Sequence, residues 1–148
     1  MNAANGTGIH RDGGTPLKLG TDGNREILIF HINGADVGSI DVSGSSTSYN
    51  TSSDYRLKTD VQPMTGATDR LKQLNPVNFE WIADSTRSDG FLAHEVQSIV
   101  PQAITGIKDE VDDEGNAVMQ GIDHSHLVPL LVKTIQELEA RITALEGV

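Results

Sequence analysis

The spacing of apolar residues divides the chain into three stretches. In the first, Ile27-Leu28-Ile29-Phe30-His31-Ile32 forms one apolar run, followed by the turn signal Asn33-Gly34. Val37, Ile40 and Val42 come next, before Ser43-Gly44-Ser45-Ser46. β-branched and aromatic runs bounded by such residues predict two short strands. Nothing else in residues 1–52 offers those strands a covering surface, and an isolated pair of strands is marginal in water. The segment therefore reads as the end of a β-rich shaft that orders only around the same segment in other copies of the chain. A disordered linker, the alternative, has no use for Ile27 to Ile32.

Residues 53–122 predict a small mixed domain. Thr65 or Thr68 is placed to cap a short helix with Leu71 and Leu74 on its apolar face, stopped by Asn75-Pro76. Val77, Phe79 and Trp81 alternate with Asn78 and Glu80, the period of a half-buried strand. Gly90-Phe91-Leu92-Ala93 opens a buried element that runs into a helical stretch from His94 to Val100, ended by Pro101. Ala103 to Val111 and Ala117 to Ile122 predict two strands of a hairpin, joined by Asp112-Asp113-Glu114-Gly115-Asn116.

In residues 123–148, Val128, Leu131, Ile135, Leu138, Ile142 and Leu145 are spaced 3, 4, 3, 4, 3, which is an a/d heptad seam. Pro129 falls in the first turn, where a missing N–H costs little. Arg141 at g faces Glu146 at e of a parallel neighbour. The stripe is confined to a and d, which favours a coiled-coil seam over a helix lying on its own domain. Three heptads are marginal alone, so the seam assists an oligomer held elsewhere as well. Ile at a with Leu at d favours two strands in isolated peptides, so the heptads leave the number of chains open. The fold class expected is α+β: a β-rich shaft end over 1–52, then a small mixed domain over 53–148 that ends in a coiled-coil helix over 123–148.

Composition narrows the chemistry. An apolar fraction of 36%, 15 Gly and one Trp suit an elongated protein better than a compact enzyme. No cysteine is present, which removes disulfides, thiolate nucleophiles and sulfur-ligated metals. The net charge is −10, of which −2 lies in residues 1–52, so phosphate backbones and anionic lipid are repelled. No apolar run approaches the roughly 20 residues that span a bilayer. Neither nucleic acid nor a membrane is an expected partner. Residues 2–8 read as the interior of something longer, so the native protein is expected to extend further. The acidic run from Asp109 to Glu114 breaks the alternation of a calcium loop at Val111. His124 and His126 diverge at a helix start, and Gly13-Gly14 lacks the setting of a phosphate loop. No metal site and no cofactor are expected.

One constellation carries chemistry. Ser53 and Lys58 are five residues apart in Ser52-Ser53-Asp54-Tyr55-Arg56-Leu57-Lys58. A serine hydroxyl becomes nucleophilic when a base takes its proton, and a neutral lysine amine is such a base. The ordinary lysine pKa of about 10.4 must then fall by several units, through burial or a nearby cation such as Arg56. Spacing alone is a weak signal, because Ser and Lys are common.

Ser-Asp-x-Arg-x-Lys at 53–58 resembles the opening of the intramolecular chaperone found behind endosialidases, phage tail fibres and neck appendages. The resemblance continues through Leu74-Asn75-Pro76-Val77-Asn78-Phe79-Glu80-Trp81, Gly90-Phe91-Leu92-Ala93-His94-Glu95-Val96-Gln97, Val100-Pro101, and Gln120-Gly121-Ile122-Asp123 to Leu127-Val128-Pro129-Leu130-Leu131. It covers residues 53–148. It implies a homotrimer, hence two further copies as partners, and an upstream fibre or tailspike domain on the same chain. It also implies that the domain brings three fibre chains into register and then releases itself by a single-turnover serine autoproteolysis. Ser53 matches the nucleophile and Lys58 the base; His94 stands where many members carry Gln and receives no catalytic role. The resemblance implies a cleavage site at Ser52, Ser53 and Asp54. Attack on the Ser52 carbonyl passes through a five-membered ring, which favours the Ser52–Ser53 bond. The other flank stays open if Ser53 of a neighbouring chain attacks. The expected setting is a tail fibre or tailspike precursor made in the host cytoplasm, with the chaperone part released on maturation. A non-cleaving trimerisation domain and a receptor-binding tip are the rival readings; only six aromatic Phe, Trp and Tyr residues argue against the second.

Overall fold

Asn33-Gly34 and Gly44-Ser45 each leave two residues to reverse the chain, and both places show the left-handed backbone that tight hairpins need: φ is 51° and 80° at Asn33 and Gly34, and 58° at Gly44. The result is an antiparallel meander of β1 (Arg25–Ile32), β2 (Ala35–Ser43) and β3 (Ser46–Thr51), in that order. The computed structural model describes residues 19–147; residues 2–8 and the Gly13-Gly14 pair lie outside the described residues. β3, Ser-Thr-Ser-Tyr-Asn-Thr, has no apolar alternation to announce it and was not expected from the sequence. Its register instead follows from the turn, with Ser43 opposite Ser46 and Gly38 opposite Thr51. Sequence predicts that this stretch orders only around other copies, yet the ladder closes within one chain. Among the described residues nothing covers the sheet: Ile29, Phe30, Ile32 and Val37 are all exposed, and of the sheet's residues Ser39 alone is buried.

The chain separates into two compact units, one ending at Val61 and the other beginning at Gln62. The second is built on α1 (Ala67–Leu71), the hairpin β4 (Val77–Glu80) and β5 (Arg87–Gly90), and α2 (Ala93–Val96). A pair of two-residue strands follows, β6 (Ile104–Thr105) and β7 (Gly121–Ile122), and then α3 (Val128–Glu146). Its core is small: Ala67, Val96, Val100, Ala103, Leu127 and Leu130, with Leu71, Leu74, Phe91 and Ile122 packed around them. The predicted strand at 77–81 pairs with β5, placing Phe79 opposite Ser88 and Val77 opposite Gly90. A Cβ at Gly90 would stand 3.1 Å from the Phe79 ring, so a side chain there would crowd it. The predicted strands at 103–111 and 117–122 are corrected to a loose hairpin. Only β6 and β7 and one bridge, Val111 to Ala117, are paired. Gly106 and Asp109 take φ of 82° and 60°, which no pleated strand accommodates. The hairpin loop stands as expected, closed by the Asp112 carboxylate on the Glu114 and Asn116 amides at 2.9 and 2.8 Å.

α3 carries a second, inward stripe beside the apolar one. Leu127 just ahead of it, then Leu130 and Thr134, are buried in the chain's own unit, and α3 packs against α1. The seam residues Val128, Leu131, Ile135, Leu138, Ile142 and Leu145 are all turned outward, between 40 and 86% exposed. From Leu138 to Gly147 every residue is exposed. This half is the outward extension of a helix already nucleated in its docked first turns.

The N-terminus of α1 is capped from α3. Neither Thr65 nor Thr68 is the N-cap; Gly66 is, with a left-handed φ of 64°, and it has no side chain to offer. The Glu137 carboxylate takes the orphaned donors instead, from Ala67 N at 3.2 Å, Thr68 N at 2.9 Å and Thr68 Oγ1 at 2.7 Å. The Thr68 backbone bond, then its hydroxyl, then the Ala67 amide lower the Glu137 pKa from 4.5 to about 2. A carboxyl depressed on folding contributes stability fully above its unfolded pKa and loses it as pH falls towards the folded one. Glu137→Gln is therefore expected to lower Tm at pH 6 and to flatten the fall in Tm between about pH 4.5 and 2. Thermal melts across that range check it; an unchanged slope would remove the cap from the account.

Candidate functional site

The route from Ser53 to Lys58 is a single 3-10 turn, Tyr55–Leu57. Asp54 caps it: its Oδ1 accepts from Arg56 N at 2.8 Å, while Leu57 N and Lys58 N donate to the carbonyls of Asp54 and Tyr55 at 3.1 and 3.0 Å. An extended chain would carry Lys58 away from Ser53, whereas this turn folds it back. Lys58 Nζ then lies 2.7 Å from Ser53 Oγ. As an ammonium it donates to that oxygen; as a neutral amine, at the same distance, it would accept the hydroxyl proton.

The residue on the acyl side is also held. Ser52 N donates to Val37 O at 3.1 Å and Ser52 Oγ donates to Asp36 O at 3.0 Å, which pins the end of the meander against β2. The residue whose carbonyl Ser53 would attack is thus held at two of its atoms. Ser52, Ser53, Asp54 and Lys58 are all exposed in the single chain.

Arg56 does not serve as the cation beside Lys58 that the sequence suggests. Its Nε and Nη2 close a fork on the two oxygens of Asp54, each at 2.9 Å. That fork, then the Arg56 amide, holds the Asp54 carboxyl below the usual carboxylate range, and the charge of Lys58 adds a smaller effect in the same direction.

The remaining sequence candidates lie elsewhere. His94 lines a shallow apolar cleft with Phe79, Trp81, Leu92, Met119 and Ile122. His124 sits beside the Phe91 ring, and His126 faces Asp123 across 3.7 Å. Among the described residues no three His, Asp or Glu side chains converge as a metal site would require, and no helix is long and apolar enough to cross a membrane. Sequence reasoning missed Glu137 and the Ser52 anchor. Neither leaves a local signal, since their partners lie up to 70 residues away.

Residues 53–105 match the peptidase S74 family, described as the chaperone of endosialidase. The long tail fiber protein Gp37 of Enterobacteria phage T2 is 27% identical over 161 aligned residues, which cover 99% of this chain and 12% of that protein. Gp37 of Enterobacteria phage K3 is 29% identical over 100 residues, covering 64% of this chain and 8% of its own length. The chain thus spans a small fraction of the relatives it matches.

Proposed function

We propose, from the match of residues 53–105 to the chaperone-of-endosialidase family, that this chain assembles a phage tail fibre and then cuts itself off. Residues 53–148 would register three copies of a fibre shaft, of which 1–52 are the end. The observation that carries the cleavage half is the 2.7 Å contact between Lys58 Nζ and Ser53 Oγ within the matched segment. The outward stripe of α3, exposed throughout beyond Glu137 among the described residues, supports the assembly half.

The reaction runs as an N-to-O acyl shift followed by hydrolysis. Neutral Lys58 takes the Ser53 hydroxyl proton, and Oγ attacks the Ser52 carbonyl carbon. The C–N bond of Ser52–Ser53 then breaks, and the proton passes to the departing Ser53 amine. Water opens the resulting ester, leaving a carboxylate on Ser52 and the hydroxyl restored on Ser53. Lys58 is exposed in the single chain, and a neutral amine at physiological pH needs a drier setting. The assembled trimer supplies that cover in this reading, so cutting follows assembly. Three β-rich chains face a large entropic cost in finding register. A domain that trimerises first holds their ends together, and removing it afterwards leaves the fibre kinetically trapped.

Mass spectrometry of freshly expressed chain tests the reading. Two fragments are expected, the larger beginning at Ser53. Only intact chain at trimer mass would favour a non-cleaving assembly domain; a larger fragment beginning at Asp54 would move the cut to the other flank.

A further inference from the structure

We infer that Arg56 is a positioning residue for self-cleavage, engaging both oxygens of Asp54 so that Lys58 is left to Ser53. The inference rests on the cleavage reading above and deepens it. Lys58 has two competing partners in one short turn: the Ser53 hydroxyl, 2.7 Å away, and the Asp54 carboxylate, close enough to respond to its charge. A carboxylate is the stronger attractor for an ammonium, since it adds the attraction of opposite charges to the hydrogen bond. A lysine paired with Asp54 would be held protonated and turned from Ser53, unable to take a proton.

The planar fork of Arg56 meets this competition. Nε and Nη2 reach Oδ1 and Oδ2 at 2.9 Å each, and the Arg56 amide takes Oδ1 again at 2.8 Å. Both carboxylate oxygens face the guanidinium and the local charge is neutralised, while Oδ1 still closes the turn that carries Lys58 back. Arginine suits this task better than lysine, whose single ammonium matches no two-oxygen partner.

The test is a double substitution in the full chain, with self-cleavage followed by denaturing gel during cell-free synthesis. Arg56→Ala is expected to slow cleavage by about tenfold or more, because Asp54 then captures Lys58. Adding Asp54→Asn, which keeps an oxygen for the Arg56 amide and removes the charge, is expected to recover most of the lost rate. A residue that merely stiffened the turn would show no such recovery. Arg56→Ala cutting at the unsubstituted rate, or the double variant cutting no faster than Arg56→Ala, overturns the inference. Persistent cutting in Ser53→Ala would instead sink the cleavage reading. A crystal structure of Arg56→Ala decides the geometry without any activity. Lys58 Nζ within 4 Å of an Asp54 oxygen is expected, and Nζ still on Ser53 Oγ rules the competition out.

Discussion

Ser53→Ala and Lys58→Ala should each leave the chain uncut while it folds and assembles as before. The two side chains are exposed and belong to no apolar core, so neither deletion carries a packing cost. Their effect on chemistry is large because they act as one unit. Without Oγ there is no acyl acceptor, and without the amine the hydroxyl keeps its proton. Loss of either member of such a pair typically costs several orders of magnitude in rate. Denaturing gels report the cut, and sedimentation with circular dichroism reports the fold. Cleavage persisting in Ser53→Ala ends the nucleophile assignment; cleavage persisting in Lys58→Ala alone moves the base elsewhere.

The second large effect is expected from Leu138→Asp. Leu138 stands at a d position, 40% exposed in the single chain, at the point where α3 leaves its own unit's cover. An aspartate there costs the lone chain little. In a three-chain seam it would set three carboxylates against one another in an apolar layer, a penalty of several kcal/mol per buried charge. Sedimentation should show monomer, and if cover from neighbouring chains activates Lys58, cleavage should fall with assembly. Full cutting by a demonstrably monomeric Leu138→Asp chain would show that one chain completes the site.

How far the sequence could be read depended on how each feature is encoded. The helix and its outward stripe were legible because six apolar residues repeat at a helical period with nothing interrupting them. The stripe beside it was hidden: Leu127 and Leu130 open it, but Thr134 and Glu137 continue it, and neither registers as apolar. β3 escaped for a similar reason, since its place is set by the Gly44 turn rather than by alternation. The 103–122 hairpin was overdrawn because Ile104 and Ile122 promise strands that left-handed Gly106 and Asp109 cut short. Ser53 and Lys58 stood out only through resemblance, as a five-residue gap says nothing until a turn closes it. The pairing of Arg56 with Asp54 was not legible, because sequence offers its charge but not the direction of its fork.

The two stripes of α3 are interleaved one residue apart: 127, 130 and 134 inward, 128, 131 and 135 outward. One helix thus carries its docking face and an outward apolar face in overlapping frames. A single inserted residue turns everything after it by about 100°, so an insertion between Thr134 and Ile135 would carry Glu137 off α1 and Leu138 off its seam together. Beyond Leu138 only one frame remains to be kept. Related chains should therefore tolerate length changes there in steps of about seven residues, while the stretch from Leu127 to Glu137 should resist any insertion or deletion.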